Sequence, residues 1–214
     1  MIDLVSKVIF LGDVSVGKTS IFERYFKNTF HDDIPATIGT SFQSKIFKND
    51  AKNINLKMNV WDTCGQERFR AIASIYYKDA SAILIVLDAF QEKSLEVAKI
   101  YLRQIKETCT EEILIFLVIN KVDLLKVKGD ILTCYEDGLS YKEEFRRFID
   151  ENDFNEIFWT SCLEENSHLV FSMFENISNH IMKECRSQRS TSYKKLVHNE
   201  KEPNEENNNP NCCI

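Results

Sequence analysis

The chain has 214 residues, with 27 basic and 33 acidic side chains, a formal charge of −6, and 43% hydrophobic beside 28% charged residues. That length holds one well-cored domain with little room for a second, and the acidic balance excludes a general electrostatic attraction to nucleic acid. No apolar run approaches the roughly 18 residues of a membrane span, and seven cysteines without C-x-x-C pairs or zinc-like histidine spacing point to a reducing compartment, with the first five as small hydrophobes or free thiols.

Taken in order, Met1-Ile2-Asp3-Leu4 runs into the first strand without a basic region followed by an apolar one, so no secretory leader is expected. Val5 to Leu11 reads as a buried strand, Gly12 to Thr19 as a tight turn, and Gly17 to about Phe26 as a helix with Ile21, Phe22, Tyr25 and Phe26 on one side. Lys27 to Thr40 is polar and interrupted by Pro35, which predicts an exposed loop. Ser41 to Phe47 and Ile54 to Trp61 are β-rich runs joined through Lys48-Asn49-Asp50-Ala51-Lys52-Asn53, the pattern of an antiparallel hairpin. A charged turn from Asp62 to Phe69 then enters a short helix.

Ala82 to Leu87 and Ile113 to Ile119 are continuous apolar runs, as expected of parallel strands buried on both faces. Between them Leu95, Ala98, Leu102 and Ile105 recur at helical spacing over Ser94 to Cys109, with Ser94 as the expected N-cap. A helix from Tyr141 to Asp150, a strand from Glu156 to Thr160 and a helix from Ser167 to Cys185 complete the alternation. Such alternation predicts an α/β domain with a mostly parallel sheet. From Arg186 to Asn211 apolar residues nearly vanish, which predicts a disordered tail, and the chain closes on Cys212-Cys213-Ile214.

The chemistry is concentrated at strand ends. Gly12-Asp13-Val14-Ser15-Val16-Gly17-Lys18-Thr19 has the spacing G-x-x-x-x-G-K-[ST] between a strand and a helix, the setting in which backbone N–H groups and a helix N-terminus cradle phosphate. Lys18 then reaches the β- and γ-phosphates, and the Thr19 hydroxyl faces Mg²⁺. Asp62 closes an apolar strand, as a carboxylate that holds Mg²⁺ directly or through water should. Gly65 and Gln66 follow: a glycine N–H to sense a γ-phosphate, and an amide to orient a water for in-line attack. Asn120-Lys121-Val122-Asp123 ends another strand, where a carboxylate accepts from guanine N1 and N2, donors that adenine does not present.

These segments, together with Thr37-Ile38-Gly39, Trp61-Asp62-Thr63-Cys64-Gly65-Gln66-Glu67, Thr160-Ser161-Cys162 and the terminal cysteine pair, resemble the Rab branch of the Ras-like small GTPases over roughly Val5 to Cys185 plus the last three residues. The resemblance implies a P-loop NTPase fold, with a six-stranded sheet, one antiparallel edge strand and helices on both faces. It also implies a GTP/GDP cycle on Mg²⁺ in a domain over residues 1–185. Nucleotide would be held by Ser15, Val16, Gly17, Lys18, Thr19, Ser20, Phe30, Thr37, Gly65, Asn120, Lys121, Asp123, Ser161 and Cys162, with Phe30 covering the base. Thr19, Thr37 and Asp62 are the implied metal site, Gln66 and Lys18 the implied catalytic pair, and Phe42, Trp61 and Tyr76 the implied aromatic triad for effectors. Cys212 and Cys213 would carry prenyl groups, anchoring a monomer to the cytoplasmic face of Golgi or endosomal membranes. Its implied partners are an exchange factor, a GTPase-activating protein, effectors, a GDP dissociation inhibitor and an escort protein. A P-loop metabolic kinase, the competing class, would need an arginine-rich lid and an acceptor site that the sequence lacks.

The chain departs from that pattern at four places. Val14 occupies a position usually taken by a compact or polar residue, beside the expected seat of Gln66 and the attacking water, and a β-branched side chain there is stiff; slow hydrolysis is expected. Ser161-Cys162-Leu163 replaces the usual Ser-Ala-Lys, removing the lysine stem that packs on the base. Cys64 stands where alanine is usual, and Leu124 to Gly138 is longer than the usual connection.

Overall fold

The computed structural model describes residues 2–37, 39–67, 74–109, 113–124 and 142–199. Strands β1 (Ile2–Gly12), β2 (Thr40–Asn49), β3 (Ile54–Thr63), β4 (Ala82–Asp88), β5 (Leu114–Asn120) and β6 (Glu156–Trp159) form one sheet in the order β2-β3-β1-β4-β5-β6. Only the edge pair β2 and β3 is antiparallel; the other four pairings are parallel. The chain passes from β3, on one side of β1, to β4 on the other, so the strand order reverses beside the end of β1. Such a reversal leaves a crevice at the carboxyl ends of the strands.

Among the described residues five α-helices cover the sheet: α1 (Lys18–Lys27), α2 (Ser74–Tyr77), α3 (Glu92–Thr108), α4 (Lys142–Asp150) and α5 (Ser167–Asn199). Alternation along β1 sorts its side chains between two cores. Val8 and Phe10 pack with Ile21, Phe22 and Tyr25 of α1 and with Val170, Phe174 and Ile177 of α5. Ile9 and Leu11 face Leu95, Tyr101 and Leu102 of α3 and Phe145 and Phe148 of α4. Because both faces are covered, every residue of β4 is buried, which explains its unbroken apolar run. The tightest aromatic contact joins the two helices of the first core: Tyr25 stacks on Phe174 with ring centroids 3.7 Å apart.

Element boundaries differ from expectation at several places, three of them with a physical reason. Strand β1 begins at Ile2 rather than Val5, because β3 pairs with it from Ile2 opposite Ile54 onward and Asn55 donates to Asp3 Oδ1 at 2.9 Å. Helix α3 starts at Glu92 with Gln91 at its cap. Ser94 is therefore not the N-cap but a buried residue of the first turn, donating to the Gln91 carbonyl at 2.6 Å and accepting from the Asp88 amide at 3.1 Å. Helix α5 continues to Asn199, past the change of composition at Arg186. A helix already nucleated by a packed face gains one hydrogen bond per residue added, so polar residues extend it at little cost. Arg68 and Phe69 of the charged turn, Ile38, the connection beyond Leu124, Tyr141 and the Cys212-Cys213 pair lie outside the described residues. Among those described, no helix is long and apolar enough to cross a membrane.

Candidate functional site

The loop between β1 and α1 is shaped by left-handed backbone at Ser15 (φ 62°) and Gly17 (φ 94°). Gly17 is required twice over, since a Cβ there would sit 2.2 Å from Asn120 Nδ2. Helix α1 starts immediately afterwards with no side-chain cap, so its first N–H groups open toward the crevice as an anion site. Lys18 is drawn back under the loop, where Nζ donates to the carbonyls of Gly12 (3.0 Å) and Asp13 (2.6 Å). Burial lowers its pKa to about 8, opposed by the nearby Asp62, Asp13 and Cys64.

Thr19, Thr37 and Asp62 come from the start of α1, the loop before β2 and the end of β3, and they meet at one point. Thr19 Oγ1 lies 2.7 Å from Thr37 Oγ1 and donates to Asp62 Oδ2 at 2.8 Å. Asp62 is fully buried, and burial pushes its carboxyl up to about 6, against the stabilising pull of Thr19 and Lys18. Its second oxygen, Oδ1, is buried with no hydrogen-bond partner. An orphaned carboxylate oxygen beside two hydroxyls is an all-oxygen donor set, which suits a small hard cation such as Mg²⁺. Gly65 closes this end: a Cβ on it would lie 2.5 Å from both the Asp13 carbonyl and Lys18 Nζ.

A cavity of about 590 Å³ runs from this cluster to the ends of β5 and β6, within the size range of small-molecule sites. Ser15, Gly17, Lys18, Thr19, Ser20, Thr37 and Gly65 line one end, with Val14 also on the wall. Asn120, Lys121, Asp123, Cys162 and Leu163 line the other, and Phe30 lies along the side. Val16 and Ser161 stand behind the wall. Val16 is fully buried and its carbonyl accepts from Asn120 Nδ2 at 3.0 Å, while Ser161 donates to Asp123 Oδ1. Asn120 Oδ1 in turn accepts from Thr160 Oγ1 at 3.1 Å, so one buried amide joins the loops after β1, β5 and β6. Lys121 pairs with Asp88 at 2.7 Å. The Cys162 thiol is buried and pushed up to about 12 by desolvation, which keeps it protonated and slow to react.

Gln66 is half-buried and outside the cavity lining. Of the aromatic trio, Phe42 is half exposed and tilts against Trp61 with centroids 5.0 Å apart. Trp61 and Tyr76 both pack at the margin of the α3-side core, and Lys7 Nζ lies 5.7 Å above the Trp61 ring. Sequence reasoning missed one residue and one contact at this site. Asn120 was assigned to nucleotide, but its brace to Val16 was not foreseen. Arg24, 4% exposed, reaches the Cys162 carbonyl at 2.9 Å; its signal was a charge on the apolar side of α1, between Ile21 and Tyr25.

A sequence model of the Ras family matches residues 7–183. Ras-related protein RABA5b of Arabidopsis thaliana is 30% identical over 97% of this chain and 93% of its own length. Human Ras-related protein Rab-34 is 45% identical over 66% of this chain and 54% of its own. GTP-binding protein YPT52 of Saccharomyces cerevisiae is 40% identical over 55% of this chain and 53% of its own. The strand order, the glycine loop at the end of β1 and these matches lead to one conclusion: the chain belongs to the Ras family, as a Rab-type small GTPase.

Proposed function

We propose that this protein is a GTP/GDP switch of vesicle trafficking whose hydrolysis acts as a slow timer. The observation that carries the reading is the meeting of Lys18, Thr19, Thr37 and the half-satisfied Asp62 at one end of a cavity whose other end presents Asp123. Loop amides and Lys18 hold the β- and γ-phosphates. Thr19, Thr37 and Asp62 would hold Mg²⁺, which supplies charge neutralisation at the phosphate oxygens. Asp123, kept in orientation by Ser161, accepts from guanine N1 and N2 while Phe30 covers the ring. The amide of Gln66 orients water toward the γ-phosphorus, and the bond to the β,γ-bridging oxygen breaks as the new P–O bond forms.

Thr37 and Gly65 sit at the γ-phosphate end, so the two segments that carry them report whether that group is present. Phe42, Trp61 and Tyr76 lie next to those segments in sequence and convert the report into a surface for effectors. Exchange factor and activating protein act on the same segments. Cys212 and Cys213, once prenylated, give the two chains that stable attachment to a Golgi or endosomal membrane takes, with the escort protein and dissociation inhibitor handling them in the cytosol.

Val14 on the cavity wall, 38% exposed, supports slow hydrolysis and favours a second reading, a module that stays bound to GTP. The nucleotide recovered from purified native protein tests both. Mainly GDP supports the timer, mainly GTP supports the standing module, and no guanine nucleotide refutes both.

A further inference from the structure

A guanidinium buried as fully as that of Arg24 must find strong acceptors. Nε donates to the Cys162 carbonyl at 2.9 Å, and Nη1 donates to the Asn28 carbonyl at 3.1 Å and to Asn28 Oδ1 at 3.2 Å. All three acceptors are neutral oxygens, so the fork holds geometry rather than neutralising a carboxylate. They belong to two segments far apart in sequence that flank the same end of the cavity. Cys162 lies in the wall between Ser161, which donates to Asp123, and Leu163. Asn28 is the left-handed cap of α1 (φ 54°) and stands two residues before Phe30.

We propose that Arg24 is a positioning residue for base recognition: without reaching the base, it fixes the Cys162 segment against the Asn28 hinge, so that Asp123 and Phe30 address one ring together. The inference rests on reading this cavity as a guanine nucleotide site. Leu163 covers the base less than a lysine stem would, which leaves more of the order of this wall to the guanidinium. Lysine in its place keeps the charge but not the planar fork, so it cannot hold both segments at once.

The test compares release of GDP and inosine diphosphate from the full chain with Mg²⁺, in wild type, Arg24→Lys and Arg24→Gln. Inosine lacks the exocyclic N2 amine, so the preference for GDP over inosine diphosphate reads contact with the base. The acceleration of GDP release by EDTA reads the phosphate end. The preference is expected to fall about tenfold in Arg24→Gln, as for loss of hydrogen bonds to a charged group, and by less in Arg24→Lys, with the EDTA response unchanged. Equal weakening of both nucleotides, with the preference intact, overturns the proposal and makes Arg24 a helix residue only. Should Arg24→Gln not fold, mass-mapped alkylation of Cys162 in GDP-bound Arg24→Lys decides: about tenfold faster labelling than in wild type supports the proposal, and an unchanged rate overturns it. Wild type that binds no guanine nucleotide refutes the underlying reading instead, whereas wild type and variants with the same preference for GDP refute Arg24 alone.

Discussion

Asp62→Asn should stabilise the nucleotide-free protein while disabling it. Raising this carboxyl from its ordinary 3.8 to about 6 corresponds to about 3 kcal/mol of opposition to the ionised form at neutral pH, at about 1.36 kcal/mol per pH unit. The amide retains an oxygen for Thr19 and removes the buried charge. Its NH₂ replaces the orphaned oxygen, and Lys18 loses part of its electrostatic support, so the expected net gain is about 1–2 kcal/mol, or about 3–6 °C in Tm for a domain of this size. The sign with pH is also fixed. A carboxyl raised in the folded state binds more protons there than in the unfolded chain, so wild-type stability falls as pH rises from about 4 to about 6, and the variant lacks that slope. Thermal melts in EDTA across this range, after nucleotide removal, measure both effects. In Mg²⁺ and GDP the order should invert, because only wild type gains from ligand. A stripped variant no more stable than wild type at pH 7.5, or one with the same acid slope, would show that Asp62 is not held at a cost.

Val14→Gly should raise single-turnover GTP hydrolysis at least several-fold, and an unchanged rate in both Val14→Gly and Val14→Ser refutes the assignment of slow turnover to this side chain. Gly65→Ala places a methyl 2.5 Å from the Asp13 carbonyl and Lys18 Nζ, so a loss of at least tenfold in GTP affinity is expected by nucleotide competition; affinity equal to wild type would mean that the loop moves aside freely. Asp123→Asn exchanges one acceptor for a donor, which should turn preference from guanine to xanthine nucleotides; an unaltered base preference would move recognition elsewhere. Maleimide should label Cys64, which is half-buried, well before Cys162, whose thiol is buried and pushed up to about 12; mass mapping with Cys162 labelled first refutes that order.

The apolar runs of β4 and β5 were legible because helices on both sides leave no face for polar residues. The antiparallel hairpin was legible because its two runs are adjacent in sequence. The start of β1 was not, since Ile2, Asp3 and Leu4 pair with Ile54, Asn55 and Leu56, some fifty residues on. Ser94 misled for a local reason: a serine at the start of a periodic segment reads as a cap, yet the Asp88 amide claims its hydroxyl. At the site, Lys18, Thr19 and Asp62 were read from spacing at strand ends and Thr37 from the family resemblance, and the structure brings the four together. Spacing carries no information on braces such as Arg24 to Cys162 or Asn120 to Val16, because each spans more than a hundred residues and exists only once the sheet has closed.

Asn120 hands one hydrogen bond to the back of the phosphate loop and takes another from Thr160 beside the base-reading segment. With nucleotide in the cavity as proposed, grip at its two ends would be mechanically linked, and slackening either end would loosen the other. Nucleotide should therefore leave whole and abruptly rather than peel away in stages, and a catalyst of exchange needs leverage at only one end to empty the pocket.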